Sequence, residues 1–227
     1  MKYEVLFFDA DETLFDFKKS EDFALDKLMK SIDTDLNKDY CIDVYKEINR
    51  NIWKEFEQNL ISSDDLKIER FRRFSDKINL SCNPKDLSDM YTSYLAEGSF
   101  IYDETEELLS YLHGKYKIVI ITNGLVSVQN KRIKESIIKD YFDDVIISDE
   151  IKIAKPDSKI FDYALNSINH SNKDSVLMIG DSLSSDIKGG LNAGIDTCWF
   201  NSSQKENTSD VIPKYEISNL LDLKNIL

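Results

Sequence analysis

One apolar segment stands alone at the head of this chain, and its isolation limits what the chain can become. Val5-Leu6-Phe7-Phe8 reads as a buried strand, yet the next 80 or so residues (about 17 to 97) carry helical periodicity almost throughout. From about residue 100 helices alternate with short apolar strands: Lys117 to Thr122, Val145 to Ser148, Ser175 to Ile179 and Thr197 to Phe200. Such alternation specifies βαβ units and a parallel sheet. A single strand cannot bury itself, so the first strand must join that distant sheet. The expected fold class is therefore α/β: a doubly wound, Rossmann-like parallel sheet formed by residues 1–16 and 98–227, with residues 17–97 inserted as an α-helical cap.

The pattern within the insertion is specific. Cys41, Val44, Tyr45, Ile48, Ile52, Trp53, Phe56 and Leu60 recur at three- and four-residue spacing and mark one apolar face. Ser62, Ser63 and Asp64 break and recap the chain, and Leu66, Phe71, Phe74 and Ile78 form a second face. Asn83-Pro84 reads as an N-cap with proline at N1, and Gly98 as a C-terminal stop. In the later half, helices are expected over Glu104 to Leu112, around Val126 to Ile138, from Pro156 onward and over Asp186 to Ala193.

The polar residues gather at one edge. Asp9-Ala10-Asp11-Glu12-Thr13 follows the first strand, and two carboxylates two positions apart would share a face if the strand continued. Thr122-Asn123-Gly124 ends the second strand, Lys155 follows the third, and Gly180-Asp181-Ser182 with Asp186 ends the fourth. Each has an ordinary explanation: an acidic loop, a strand-to-helix turn, a solvated lysine, helix N-caps. All of them, however, fall at the carboxyl ends of parallel strands, where open α/β sheets bind ligands.

Composition narrows the partners. A net charge of −13 and a pI near 4.7 repel a nucleic-acid polymer, and there is no basic run to offset this. The apolar runs are too short to span a bilayer. Three scattered cysteines without C-x-x-C spacing, and an N-terminus that enters a strand at once, point to a reducing cytoplasm.

These motifs, in this order, resemble the haloacid dehalogenase (HAD) superfamily of aspartyl-phosphate phosphohydrolases. The resemblance rests on Asp9-x-Asp11-x-Thr13, Thr122, Lys155-Pro156 and Gly180-Asp181-Ser182-x-x-Ser185-Asp186, and the helical insertion is similar to a subclass I cap. Longer stretches, among them Ile121-Thr122-Asn123-Gly124, Lys159 to Leu165 and Asn192-Ala193-Gly194, resemble bacterial pyrimidine 5'-nucleotidases. The resemblance implies Asp9 as nucleophile and Asp11 as acid and base. It implies Mg²⁺, with Mn²⁺ as a substitute, held by Asp9, the Asp11 carbonyl and Asp181. Thr122, Asn123, Gly124 and Lys155 would bind phosphate, and Asp186 would stand behind as an orienting group. Thr13 would shape the loop through its hydroxyl.

The implied substrate is a small phosphomonoester, a pyrimidine nucleoside 5'-monophosphate such as UMP, dUMP or dTMP. Asn49, Trp53 and Arg70 are the cap side chains expected to select it, although the helical spacing of Trp53 fits the cap core better than a place over the base. A phosphosugar or acylneuraminate-phosphate phosphatase is the nearest alternative, and a non-catalytic regulatory binding module is the alternative of another class. A dehalogenase has no use for Asp11, since a halide needs no proton to depart. Oligomeric state is not readable.

Overall fold

The computed structural model describes residues 2–58 and 60–227; Met1 and Asn59, which fall within the core and cap spans read from the sequence, lie outside the described residues. Six parallel strands form one sheet: β1 (Val5–Phe8), β2 (Lys117–Thr122), β3 (Asp144–Ile147), β4 (Val176–Gly180), β5 (Asp196–Phe200) and β6 (Tyr215–Ile217). Their order is β3-β2-β1-β4-β5-β6. The lone N-terminal strand therefore lies inside the sheet, with Phe8 paired to Ile120 on one side and Ile179 on the other. The connections run outward in both directions from β1, so the sheet has its topological switch point at the end of that strand.

Strand periodicity explains the burial. Leu6, Phe8, Ile118, Ile120, Leu177 and Ile179 face one apolar layer, while Val5, Phe7, Val119, Ile121, Val176 and Met178 face the other. Both faces are covered, as a parallel sheet requires. The first layer is closed by α5 (Thr105–Leu112), the second by α8 (Ser158–Ser167) and the residues around α9 (Lys188–Ala193).

The cap helices are α1 (Phe17–Ser31), α2 (Lys38–Glu57), α3 (Ser63–Ile78) and α4 (Pro84–Glu97). Their starts follow the expected chemistry: the Ser62 side chain accepts from the Asp65 amide, and Asn83 accepts from the Lys85 amide with proline at the helix start. Four aromatic and apolar stripes meet in one cluster around Tyr45, Phe71, Phe74 and Tyr91. That cluster reaches into the core domain through Leu125 and Val128, because α4 packs on α6 (Val126–Lys134).

Several local expectations are corrected. Pro156 does not open α8; the helix starts at Ser158, with the Asp157 side chain capping the Lys159 amide. The chain from Leu183 to Ile187 is a π turn that precedes α9, not its first turn. α6 ends at Lys134, four residues before the expected limit, and residues 148–151 form a short helix, α7 (Ser148–Ile151). Gly98 closes α4 with φ −88°, a conformation any residue adopts; what selects glycine is proximity, since an added Cβ would lie 3.2 Å from Ser20. The edge strand β6, three residues long, is too short to register as a period.

Candidate active site

The carboxyl ends of β1, β2 and β4 converge beneath the cap around a cavity of about 440 Å³. Asp9, Asp11, Thr122, Asn123, Gly124 and Asp181 line it from the core; Asn49, Trp53 and Arg70 line it from the cap. Lys155 and Asp186 lie directly beneath, each 1% exposed.

Asp9 is buried, and its amide continues the β1–β4 ladder by donating to the Ile179 carbonyl at 2.9 Å. Asp11 arrives by a different route from the one strand periodicity suggests. After Asp9 the chain leaves the strand: the Ala10 carbonyl accepts from both the Leu14 and Phe15 amides, and Glu12 takes a left-handed φ of 61°. This tight turn, and not a continued strand, returns Asp11 to the cavity.

Lys155 anchors the floor. Its ammonium lies 2.5 Å from Asp9 Oδ1 and 2.7 Å from Asp186 Oδ1, and it donates to the Ile121 carbonyl at 2.6 Å. Burial alone would lower its pKa, but Asp186 and Asp9 hold it above the ordinary value. The lysine is placed by its backbone: the Asn123 amide group donates to the Lys155 carbonyl and accepts from the Lys155 amide, both at 2.9 Å. The Asn123 side chain thus clamps the loop that carries Lys155. Thr122 Oγ1 accepts from the Gly124 amide at 3.0 Å, so that amide must be released before it can meet a phosphate oxygen.

Asp186 is engaged at both oxygens, Oδ1 by Lys155 and Oδ2 by the Ser182 amide at 3.0 Å. The hydroxyl of Thr13, expected to hold the loop, is buried with no hydrogen-bond partner among the described residues, which corrects that expectation.

The donor set fits a hard divalent cation. Asp9, Asp181 and Asp186 each place a carboxylate oxygen within 4.8 Å of the others. Lys155 pairs with two of them, while Asp181 has no paired cationic side chain among the described residues. Burial pushes the Asp9 carboxyl up to about 7 against the pull of Lys155, with Asp186 and Asp11 adding to the rise. Asp181 is raised well above its usual range by burial, then by Asp186, Asp9 and Glu12. Crowded, raised carboxylates with oxygen donors only are what an octahedral Mg²⁺ site presents before the ion enters. The Asp11 carbonyl accepts no hydrogen bond from a described residue and is available to the same ion.

Two contacts were not foreseen. Arg132, 1% exposed, places Nη1 2.6 Å from Asp11 Oδ1, and Gln129 Nε2 donates to Asp11 Oδ2 at 2.7 Å. Both sit on α6, at i and i+3 on one helix face. The sequence carried no signal for them, because α6 is polar at most of its positions and these two look like the rest.

In the cap, Arg70 is 2% exposed and Asn49 is 6% exposed. Arg70 Nη1 donates to Asn49 Oδ1 at 3.3 Å, and Asn49 Nδ2 donates to Glu21 Oε1 at 2.9 Å. The guanidinium stacks over Tyr91 at 4.8 Å, and its Nε and Nη2 have no partner among the described residues. Trp53 is half-buried on the cavity wall, edge-on to Phe56, and so is not a member of the cap core.

The chain resembles known proteins over its whole length. It is 35% identical over 227 residues to the pyrimidine 5'-nucleotidase YjjG of Escherichia coli, covering all of this chain and 99% of the relative. It is 36% identical to the pyrimidine 5'-nucleotidase PynA of Streptococcus pneumoniae, covering all of this chain and 98% of the other. A crystal structure of the HAD-hydrolase YfnB of Bacillus subtilis, bound to magnesium and revealing interdomain movement, superimposes with a TM-score of 0.92 at 34% identity, covering all of this chain and 99% of that one. The family model for haloacid dehalogenase-like hydrolases matches residues 3–194. With its switch-point aspartates, its buried lysine and these relatives, the chain belongs to the haloacid dehalogenase-like hydrolases.

Proposed function

We propose that this hydrolase is a Mg²⁺-dependent phosphomonoesterase that cleaves pyrimidine nucleoside 5'-monophosphates such as UMP, dUMP and dTMP through an aspartyl-phosphate. One observation carries the reading: a buried Asp9, one oxygen held by Lys155 at 2.5 Å, faces a capped cavity that Asp11 also lines. The relatives named as pyrimidine 5'-nucleotidases support the substrate class.

Asp9 attacks phosphorus through the oxygen that Lys155 does not hold. The bond from phosphorus to the ribose O5' breaks, and Asp11 delivers a proton to that oxygen. Asp11 then takes a proton from the water that attacks the aspartyl-phosphate, which releases phosphate and restores Asp9. Asp9, Asp181 and the Asp11 carbonyl would hold Mg²⁺, whose charge offsets the approach of one anion to another. Lys155 supports the carboxylate and the incoming phosphate, and Thr122 with the Asn123 and Gly124 amides receives phosphate oxygens. Asp186 keeps Lys155 in place.

The base would sit under the cap. Glu21 accepts from Asn49 Nδ2 and so directs Asn49 Oδ1 toward Arg70 and the cavity side. An acceptor oxygen beside a guanidinium complements the N3–H and a neighbouring carbonyl of uracil or thymine, while Trp53 offers an aromatic wall. Cap closure over substrate would exclude bulk water.

A panel of kcat/KM values for UMP, dTMP, AMP, ribose 5-phosphate and sugar phosphates tests the reading. UMP or dTMP should exceed ribose 5-phosphate by on the order of tenfold, roughly 1.4 kcal/mol of transition-state discrimination. A sugar phosphate that wins the panel would leave the phosphatase chemistry and remove the nucleotide assignment.

A further inference from the structure

Arg132 joins three parts of the molecule that the chemistry needs to coordinate. Its Nη1 meets Asp11 Oδ1 at 2.6 Å. Its Nε donates to the Gly98 carbonyl at 3.1 Å, at the second connection between core and cap, and its backbone carbonyl accepts from Ser99 Oγ at 2.8 Å. Its guanidinium lies 5.4 Å from the Phe15 ring and 5.6 Å from the Phe17 ring, which flank the first connection. Its Nη2 approaches Ser20 Oγ at 3.4 Å, and Ser20 Oγ donates to the same Gly98 carbonyl at 2.7 Å. One buried cation therefore spans both cap connections and the proposed acid–base carboxylate.

We propose that Arg132 is a positioning residue that sets the place of the Asp11 carboxylate according to the arrangement of the two cap connections, with Gln129 fixing the second carboxylate oxygen. The inference rests on the reading of Asp11 as the acid and base. If the cap turns about residues 16–17 and 98–99, the Gly98 carbonyl moves, and the guanidinium bonded to it must follow or let go. The guanidinium is planar and rigid, so a displacement at Nε is passed to Nη1 and hence to Asp11. Gln129 Nε2 adds a link to Thr122 Oγ1 at 3.0 Å, which aligns Asp11 with the proposed phosphate site. A lysine could supply charge to Asp11 but could not hold the Gly98 carbonyl and the carboxylate in one plane.

The test uses the full chain with Mg²⁺, UMP and p-nitrophenyl phosphate, in single-turnover and steady-state measurements. A ribose alkoxide needs a proton to leave and p-nitrophenolate does not, so misplacing Asp11 penalises UMP selectively. Arg132→Met should reduce the rate of phosphoryl transfer from UMP at least tenfold more than from p-nitrophenyl phosphate, chiefly in kcat and not KM. Arg132→Lys should show the same selectivity at smaller size. In an Asp11→Asn background, Arg132→Met should cost less than a further twofold on UMP. Should Arg132→Met fail to fold, Arg132→Lys and Gln129→Met, both close in volume, carry the same comparison. Equal losses on the two substrates in folded variants, with full additivity on Asp11→Asn, would make Arg132 a structural tie only and overturn the proposal. If Asp11→Asn is itself unselective, the reading of Asp11 fails and the proposal falls with it; a selective Asp11→Asn beside an unselective Arg132→Met overturns the proposal alone.

Discussion

Gly180→Ala is a small change with a large expected cost, because the residue that fills the space where its Cβ would go is Asp186. An added Cβ would stand 2.3 Å from Asp186 Oδ2, 2.4 Å from Cγ and 2.5 Å from Cβ. Ordinary carbon contacts begin near 3.5 Å, so the carboxylate must retreat by about 1 Å. It cannot do so and keep both the 2.7 Å pair with Lys155 and the 3.0 Å bond from the Ser182 amide. Overpacking costs about 1–3 kcal/mol. Removing one partner of a buried ion pair costs on the order of 3–5 kcal/mol, but here the partner is displaced and not deleted, so we take the lower part of that range as a ceiling. The combined expectation is about 2–4 kcal/mol, equivalent to a fall in Tm of roughly 4–16 °C for a chain of this size. Urea unfolding followed by the fluorescence of Trp53 and Trp199 reads the stability. Turnover of UMP reads the site, where a loosened Lys155 should cost on the order of tenfold in kcat/KM. The source of the effect is checked by adding Asp186→Gly, which removes the Cβ as well as the carboxylate: with no side chain to strike, Gly180→Ala should cost little beyond Asp186→Gly alone. A Gly180→Ala variant within about 0.5 kcal/mol of the parent and fully active would refute the reasoning.

Asp9→Asn should lower kcat by roughly a hundredfold or more while leaving the fold intact, because Lys155 keeps Asp186 as a partner; a tenth of parental kcat without deamidation would show that Asp9 is not the nucleophile. Chelation with EDTA should abolish turnover, with Mg²⁺ restoring it, Mn²⁺ substituting and Ca²⁺ inhibiting through its looser coordination. In the same preparations, Mg²⁺ at about a hundred times its Kd should add about 2.7 kcal/mol of stability by mass action, and full activity without metal would sink the donor assignment. Asn49→Leu should reduce kcat/KM for UMP about tenfold and leave ribose 5-phosphate nearly unchanged, by removing the Oδ1 that meets Arg70; equal losses on both would assign Asn49 to cap structure.

The architecture was legible because two periodicities, 2 and 3.6, are written plainly in apolar residues. The place of β1 beside β2 and β4 followed from the rule that a strand must pair, and the convergence of Asp9, Thr122, Lys155 and Asp181 followed from the polarity of parallel strands. What was not legible depended on side chains meeting across the fold. Arg132 and Gln129 are separated from Asp11 by more than a hundred residues, and nothing local distinguishes them from the solvated face of a helix. Asn123 was read as a source of an amide, but its side chain clamps Lys155, a contact over 32 residues. The Trp53 spacing favoured the cap core over a cavity wall and misled, since a helix that borders a cavity presents the same stripe as one that borders a core.

Local charge explains how an acidic chain can receive an anion. The cavity is lined by Asp9, Asp11, Glu12, Glu57 and Asp181 against Arg50, Arg70 and Arg132. Asp186 and Lys155 beneath it cancel one another, so with every carboxyl ionised the site carries two formal negative charges in excess, the crowding that raises Asp9 and Asp181. Arg132 is committed to Asp11, Lys155 is shared between Asp9 and Asp186, and Arg70 is stacked between aromatic rings in the cap. Among the described residues that leaves Arg50, a cavity cation without an ion-pair partner, and one guanidinium does not offset both this excess and a dianionic phosphate. A divalent ion held by Asp9 and Asp181 would balance the excess in one step, and only then would the cavity favour an anion. On this account metal comes before substrate, and phosphate affinity should rise and fall with metal occupancy. Isothermal titration of inorganic phosphate into metal-free and Mg²⁺-loaded protein measures this directly; equal affinities in the two would mean that Lys155 alone suffices.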